Sequence, residues 1–456
     1  MDAKAIRDRL VGQTPFAMLV RGSIDWFFEP EFLDAFAEEA FRTNYTRDIR
    51  FSDLVELLLP VVFDPGQSVR RAFLRGERLA AVATLSSFYA KLNGVDPDVS
   101  RALVRRTAER AAAIVAPWPG GEKPPLPGYR VLTLDGNHLA ATERRLDGLT
   151  ACTALPGLGL VVRDFASGLF LDLLPIPDAY GREVSHAPTL LRSTLRPGDC
   201  VVADREFCAA GVFAAVAESK ASFVIRHRKS AHLHPRTELT RAVRREGRTI
   251  REQAVHYADT GLEYRAIRVE LATPTQDGET VVTLLTNLPA KVGAAAVAEL
   301  YRGRRSIETA FHELAMALNG EVRTLAYPKA ALLAFALATA VYNLLQTIRR
   351  AIAAEQGAEA ARKLSLQRLC QEVRHHLPTL LLIYGPGELE PQADWGVPAM
   401  RSWLRRLAKK IDLEKYERST GQKPGSARGK RKKAPRLHES TQKLLDTRQK
   451  KPKKSP

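Results

Sequence analysis

Apolar and polar positions along the chain predict a helical region followed by a region rich in strands. In residues 1–115 the apolar residues recur mostly at helical spacing, for example over 54–59 and 79–92. From Tyr129 onward short apolar runs fit buried strands, and 158–163 and 168–174 form a predicted hairpin. Further strands are predicted at 200–203, 222–228, 255–257, 264–271 and 280–285, and helices at 185–195, 209–220, 294–318 and 329–355.

This order of elements predicts an α/β fold with additions at both ends. We expect a helical N-terminal domain over 1–116 and a mixed α/β domain over 128–350, with a β-strand insertion at about 232–290. A helical C-terminal region over 351–416 and a basic tail over 417–456 follow. Lys, Arg, Pro, Gly and Ser dominate the tail, so it is predicted to be disordered until it meets DNA.

The charge of the chain indicates a polyanionic partner. The 456 residues carry a formal net charge of +18, with a pI near 9.9. From Arg418 to Pro456 there are fourteen Lys and Arg against Glu439 and Asp446, which leaves +6 for the rest of the chain. Nucleic acid is therefore the expected partner, although such a tail is equally typical of a solubilising charge run.

No feature predicts a membrane or disulfide-bonded protein. The apolar stretch 330–342 is short for a membrane span and leads directly into polar and basic residues, so it is predicted to be a buried core helix. The four cysteines lack zinc-ligand spacing, and the first residues lack an apolar signal segment. A cytoplasmic location is expected.

Three carboxylates are the candidate chemistry. Asp135 and Asp204 each end a short apolar run, and Tyr301, Arg304 and Glu308 share one face of a predicted helix. Carboxylates gathered at short range repel one another unless a cation lies between them, and Mg²⁺ prefers hard oxygen ligands. The alternative is an Arg304–Glu308 salt bridge within the helix, with Tyr301 as a packing residue.

The order of these motifs resembles the DDE transposases of bacterial insertion sequences, and more narrowly their cut-and-paste group with a β insertion and a Tyr-Arg-Glu-Lys motif. The likeness runs from about Tyr129 to Ile348. Besides Asp135 and Tyr301-x2-Arg304-x3-Glu308, it rests on Ala203-Asp204-Arg205-Glu206-Phe207, Thr286-Asn287-Leu288 and Tyr342-Asn343-Leu344-Leu345.

This resemblance implies an RNase H-like core in which Asp135, Asp204 and Glu308 coordinate two Mg²⁺ ions, which Mn²⁺ can replace. It implies that 1–116 is a DNA-binding domain, that 128–350 is the catalytic domain, and that Tyr301, Arg304 and Arg305 contact DNA. Water activated by metal would cut at the element end, and the freed 3′-hydroxyl would attack target DNA. The implied partners are the terminal inverted repeats, target DNA and a second copy of the chain, in the nucleoid of a bacterial cytoplasm.

Two positions depart from the family pattern. Ala315 stands where the motif has lysine, with His312 and Lys329 as possible substitutes, and Arg305 replaces a frequent tryptophan. The insertion also lacks the tryptophan on which relatives can stack a flipped base, and it offers Tyr257 and Tyr264 instead, for which strand packing is the alternative. Two other functions stay open: a decayed transposase that only binds DNA, and a nuclease without strand transfer.

Overall fold

A computed structural model of the chain describes residues 3–40, 49–118, 125–139, 157–177, 182–229, 231–275, 278–322, 325, 327–384, 388–389 and 394–418. Helices open this part of the chain: α1 (Ala3–Gln13), α2 (Pro15–Phe27), α3 (Pro30–Ala40), α4 (Phe51–Phe63), α5 (Val69–Arg75), α6 (Glu77–Val82), α7 (Leu85–Gly94) and α8 (Pro97–Val115). The helical prediction for this region is confirmed. The range 79–92 spans α6 and α7, because Thr84 Oγ1 accepts a hydrogen bond from Ser87 N at 3.1 Å and caps a new helix there.

One mixed sheet follows. Its strands are β1 (Arg130–His138), β2 (Leu158–Asp164), β3 (Phe170–Ile176), β4 (Asp199–Ala203), β5 (Ser222–Arg226), β6 (Leu233–Pro235), β7 (Val243–Arg245), β8 (Arg248–Tyr257), β9 (Leu262–Glu270) and β10 (Val281–Thr286). They lie in the order β3-β2-β1-β4-β5-β10-β9-β8-β6, and β7 pairs with β8. β1, β4 and β5 are parallel, and β2 and β3 form the predicted antiparallel hairpin beside them. This mixed α/β arrangement is consistent with an RNase H-like core, as the sequence predicts.

The β insertion extends the same sheet. β10 pairs antiparallel with β5, with Leu285 opposite Ile225, so the core continues into the inserted strands. The Thr286-Asn287-Leu288 motif holds this seam together. Asn287 Oδ1 accepts from Phe223 N at 2.9 Å, and its amide donates to Ala221 O at 3.2 Å.

Helices cover both faces of the sheet. α9 (Glu183–Thr194) and α10 (Ala210–Glu218) pack on one face through buried residues such as Leu190 and Phe213. α11 (Ala294–Gly303) covers the other face, where Leu300 joins a second apolar cluster. Successive side chains of the central strands point to opposite faces of the sheet, so each face has its own apolar core.

The third core surrounds α13 (Pro328–Gln356). Among the described helices only α13 is long and apolar enough to cross a membrane, and its apolar window lies entirely inside the protein. The prediction of a core helix at 330–342 is therefore confirmed. Asn343 fixes α13 to the sheet, because its amide exchanges two 2.9 Å hydrogen bonds with the backbone of Phe170.

The last helices are α14 (Ala358–Lys363), α15 (Leu366–Ile383) and α16 (Val397–Ala408). They share the α13 core with the N-terminal helices, in one cluster of buried residues that runs from Val11 to Tyr416. The domain boundaries at 116, 350 and 416 stay a prediction. The tail over 419–456 lies outside the described residues.

Candidate active site

Asp135 and Asp204 lie on the side of the sheet toward which the parallel strands β1 and β4 run. β1 and β4 are parallel neighbours with Thr133 opposite Val202, so each aspartate comes two residues after a paired position. Asp204 directly follows β4, and its Oδ1 accepts a 2.9 Å hydrogen bond from Glu206 N. This bond caps a short 3₁₀ helix, Arg205–Phe207, which Phe207 anchors in the core.

The segment that carries Glu308 is two helices rather than the single helix predicted over 294–318. α11 ends at Gly303, α12 (Arg305–Ala317) begins at once, and Arg304 forms the junction. Backbone bonds from Arg304 N to Tyr301 O and from Ile307 N to Arg304 O, both 3.0 Å, tighten the turn to a three-residue step. A Cβ on Gly303 would lie 2.9 Å from the Phe165 ring, so glycine permits this close approach of the hairpin loop.

Arg304 brings two of the three carboxylates together. Its Nη1 donates to Asp135 Oδ2 at 3.2 Å, and its Nη2 donates to Glu308 Oε1. The salt bridge within the helix is thus present, but the same guanidinium also reaches across to β1. Tyr301 is partly buried on the same side, where burial raises the pKa of its hydroxyl and the charges of Arg304 and Arg226 lower it. Arg305 is exposed.

Burial controls the electrostatics of the two aspartates. The pKa of Asp135 is raised to about 7, chiefly by burial; Arg304 lowers it, and the charges of Asp204 and Glu183 raise it. Burial also raises the pKa of Asp204, against the hydrogen bond from Glu206 N and the charge of Arg304. A carboxylate in this position is costly to ionise without a nearby cation.

The residues of the site fit a cation. In the described ranges no group of three or more His, Cys, Asp or Glu is gathered closely enough to hold a metal ion. The guanidinium of Arg304 lies between Asp135 and Glu308 instead. Both carboxylates therefore already bind a cationic group, the Arg304 guanidinium. Their hard oxygen donors are also the kind that Mg²⁺ binds.

A fourth carboxylate, missed by sequence reasoning, lies beside the aspartates. Glu183 is in the first turn of α9, and a Cβ built on Gly136 would fall 2.3 Å from its Oε1. His138 Nε2 lies 3.4 Å from the same oxygen. The signal in the sequence is Gly136 itself, because a glycine inside a strand often marks the close approach of another group.

Other candidates take different places. Tyr257 and Tyr264 are buried in the core against Phe213 and Phe223, so packing, the alternative role, is confirmed for both. Glu313 turns away from the site and accepts a 3.0 Å hydrogen bond from Tyr342.

The position of the missing lysine is on the surface of the protein. Ala315 and His312 are exposed on α12, and Lys329 is exposed in the first turn of α13. A longer side chain at position 315 would therefore extend into solvent.

Residues 127–344 match the family model described as "Transposase DDE domain". The chain therefore contains a transposase DDE domain, which supports a DDE-type insertion-sequence transposase. No curated protein matches it. The matched range contains Asp135, Asp204 and Glu308, and the recognition made from the motifs is confirmed, while the Tyr-Arg-Glu-Lys subgroup stays a prediction. A DDE transposase acts on DNA, and such enzymes generally use divalent metal ions.

Proposed function

We propose that this DDE transposase cuts DNA at the ends of its own insertion sequence and joins the freed 3′-hydroxyl to target DNA. The observation that supports this proposal is that β1, β4 and the α11–α12 junction approach one another on the side of the sheet toward which β1 and β4 run. Arg304 there contacts Asp135 and Glu308, and Asp204 lies in register beside Asp135.

Asp135, Asp204 and Glu308 would hold two Mg²⁺ ions, with Mn²⁺ as a substitute. When bound, such a pair supplies activation of an attacking oxygen and stabilisation of a leaving one. The carboxylates contribute by their position: Asp135 lies within β1, Asp204 directly follows the neighbouring strand β4, and Glu308 lies one helical turn after Arg304. The partly buried surroundings of the two aspartates reduce the solvent screening of their charges.

The proposed DNA contacts surround these carboxylates. A guanidinium has five N–H donors, and Arg304 uses one on Asp135 and one on Glu308, so others remain for a phosphate. Tyr301 would orient the DNA backbone with its hydroxyl, and the exposed Arg305 would contact a neighbouring phosphate. No covalent enzyme–DNA intermediate is needed.

Two copies of the chain would act together, because two element ends must be held during one transposition event. Closed two-fold assemblies are the commonest solution for such a task. The proposed DNA partners are the terminal inverted repeats of the element and the target duplex.

Incubation of the protein with DNA that flanks its gene, in the presence of Mg²⁺, tests the proposal. Cleavage followed by joining to a second duplex supports it. Cleavage without joining would instead indicate a nuclease, and binding without cleavage would indicate a decayed transposase. A search for inverted repeats on both sides of the gene identifies the DNA to use.

The decayed transposase is the second candidate, because Ala315 replaces the lysine of the family motif. Glu308 and Ala315 are seven residues apart on α12, about two turns, and both are exposed. We expect Ala315→Lys to tighten end binding or raise cleavage several-fold, since a surface cation beside a phosphate contributes roughly 0.5–1 kcal/mol. End binding by gel shift and cleavage rates measure the change.

The outcomes of this substitution separate two interpretations. An increase from no detectable cleavage would favour a decayed enzyme. A decrease in cleavage with intact folding would contradict the expectation and favour a site in which another residue already fills the role. Thr309→Lys is the matched control, because position 309 is exposed on the same helix but only one residue after Glu308.

The tail provides a separate prediction about DNA affinity. Arg418 belongs to the folded part, since its backbone N donates to Lys363 O at 2.7 Å, so the truncation should begin at residue 419. Residues 419–456 carry thirteen Lys and Arg against two acidic residues. Their removal should weaken binding to specific and random DNA nearly equally, and it should reduce the slope of log affinity against log salt. An unchanged slope would show that the tail makes no DNA contact.

A further inference from the structure

Glu183 enters the active site through a gap that only glycine leaves. The three atoms nearest to a Cβ built on Gly136 all belong to the Glu183 carboxyl group: Cδ and Oε1 at 2.3 Å and Oε2 at 2.8 Å. Gly136 lies within β1 and follows Asp135 directly. Because strand residues have no need of a positive φ, the absence of a side chain here serves the approach of Glu183.

Among the described residues, the side chain that faces the Glu183 carboxylate is a histidine rather than an arginine or a lysine. The Glu183 side chain is 20% exposed, and His138 Nε2, on a side chain that is 42% exposed, lies 3.4 Å from its Oε1. The arginine of the site, Arg304, is occupied by Asp135 and Glu308. Carboxylates removed from water are usually paired or bound to metal.

The Glu183 carboxylate lies within electrostatic range of both Asp135 and Asp204. It reaches β1 at Gly136, the residue that follows Asp135. Carboxylates gathered at short range repel one another, and a cation between them removes that repulsion.

We propose that Glu183 is a fourth carboxylate of the divalent-metal site, acting with Asp135, Asp204 and Glu308, and that Gly136 is the residue that admits it. This inference rests on the proposed function, because it assumes that the site holds metal. It adds a residue that lies outside the three-carboxylate motif.

The first test measures Mn²⁺ binding to the full-length protein without DNA, from the electron paramagnetic resonance signal of free Mn²⁺. Glu183→Gln should weaken binding of at least one ion by about tenfold or more, the scale seen when groups that support a metal site are removed. Glu218→Gln is the matched control, because Glu218 is an exposed acid on α10, paired with Arg192 and remote in sequence from the motifs. It should leave Mn²⁺ affinity unchanged.

The second test moves the carboxylate without removing its charge. In Gly136→Ala the new Cβ meets only the end of a flexible side chain among its nearest atoms, so the fold should persist while Glu183 is displaced. Mn²⁺ binding should weaken as in Glu183→Gln. In a Glu183→Ala background the same Gly136→Ala change should have little further effect, since groups that act together are not additive. Circular dichroism checks the fold of every variant.

The outcomes distinguish this inference from the proposed function. If Asp135→Ala weakens Mn²⁺ binding and stops cleavage while Glu183→Gln and Gly136→Ala leave Mn²⁺ binding unchanged, Glu183 is not a metal carboxylate and the proposed function stands. If the two Gly136→Ala effects are equal in the presence and absence of Glu183, the inference is also overturned. If the wild-type protein binds no Mn²⁺ and cuts no DNA, both fail.

Discussion

Replacing Asp135, Asp204 or Glu308 by alanine should lower the rate of DNA-end cleavage by at least about 1000-fold, which corresponds to roughly 4 kcal/mol of transition-state stabilisation. Arg304 bridges Asp135 and Glu308, and Asp204 follows β4, the parallel neighbour of β1. In the proposed function each carboxylate supplies negative charge for metal rather than a contact to DNA, so end binding should survive. Cleavage assays and gel shifts on the same preparations measure the two properties separately.

An asparagine variant of Asp204 separates the effect of its charge on cleavage from its effect on stability. Asp204 also caps the Arg205–Phe207 turn, and asparagine keeps that acceptor while it removes the charge. We expect Asp204→Asn to lose cleavage without the loss of stability, about 1 kcal/mol, that accompanies Asp204→Ala. Glu206→Ala is the control, because its exposed side chain lies two residues away. Mg²⁺-dependent nicking by purified Asp204→Ala would contradict the assignment.

The aspartates could be placed from sequence because the side chains of a strand alternate and the ends of parallel strands meet. Short, mostly apolar runs before Asp135 and Asp204 predict buried strands, and the observed register, with Thr133 opposite Val202, places the two aspartates on neighbouring strands, although β1 continues to His138. Glu308 could be linked to them only through the motif, since no local pattern relates a helix to strands so far away in the sequence.

Contacts between distant segments could not be predicted in the same way. The 294–318 pattern has continuous helical spacing, and the junction at Arg304 arises from tertiary packing of Gly303 against Phe165. Glu183 has no periodic relation to Asp135, so only the isolated Gly136 indicated a close neighbour. The pairing of β5 with β10 likewise joins segments that are far apart in the chain.

A second group of buried polar residues joins the N-terminal helices to the sheet. Asp172 on β3 is 1% exposed, and its carboxylate accepts hydrogen bonds from Arg101 Nε at 2.9 Å and Nη2 at 2.8 Å. Thr194 Oγ1, at the end of α9, donates to the same carboxylate at 2.9 Å. One carboxylate therefore holds α8, β3 and α9 together.

Asp172→Ala should destabilise the protein by about 3–5 kcal/mol, because it leaves the guanidinium of Arg101, only 16% exposed, without its partner. A lower thermal unfolding midpoint, followed by circular dichroism, measures the change. Removing the exposed Arg192–Glu218 pair through Glu218→Ala should leave the unfolding midpoint nearly unchanged. The double variant Asp172→Leu/Arg101→Met should recover much of the loss, since an apolar pair can replace a buried ion pair at little cost. Equal midpoints for Asp172→Ala and the wild type would show that the helical region and the sheet are held together by apolar packing alone.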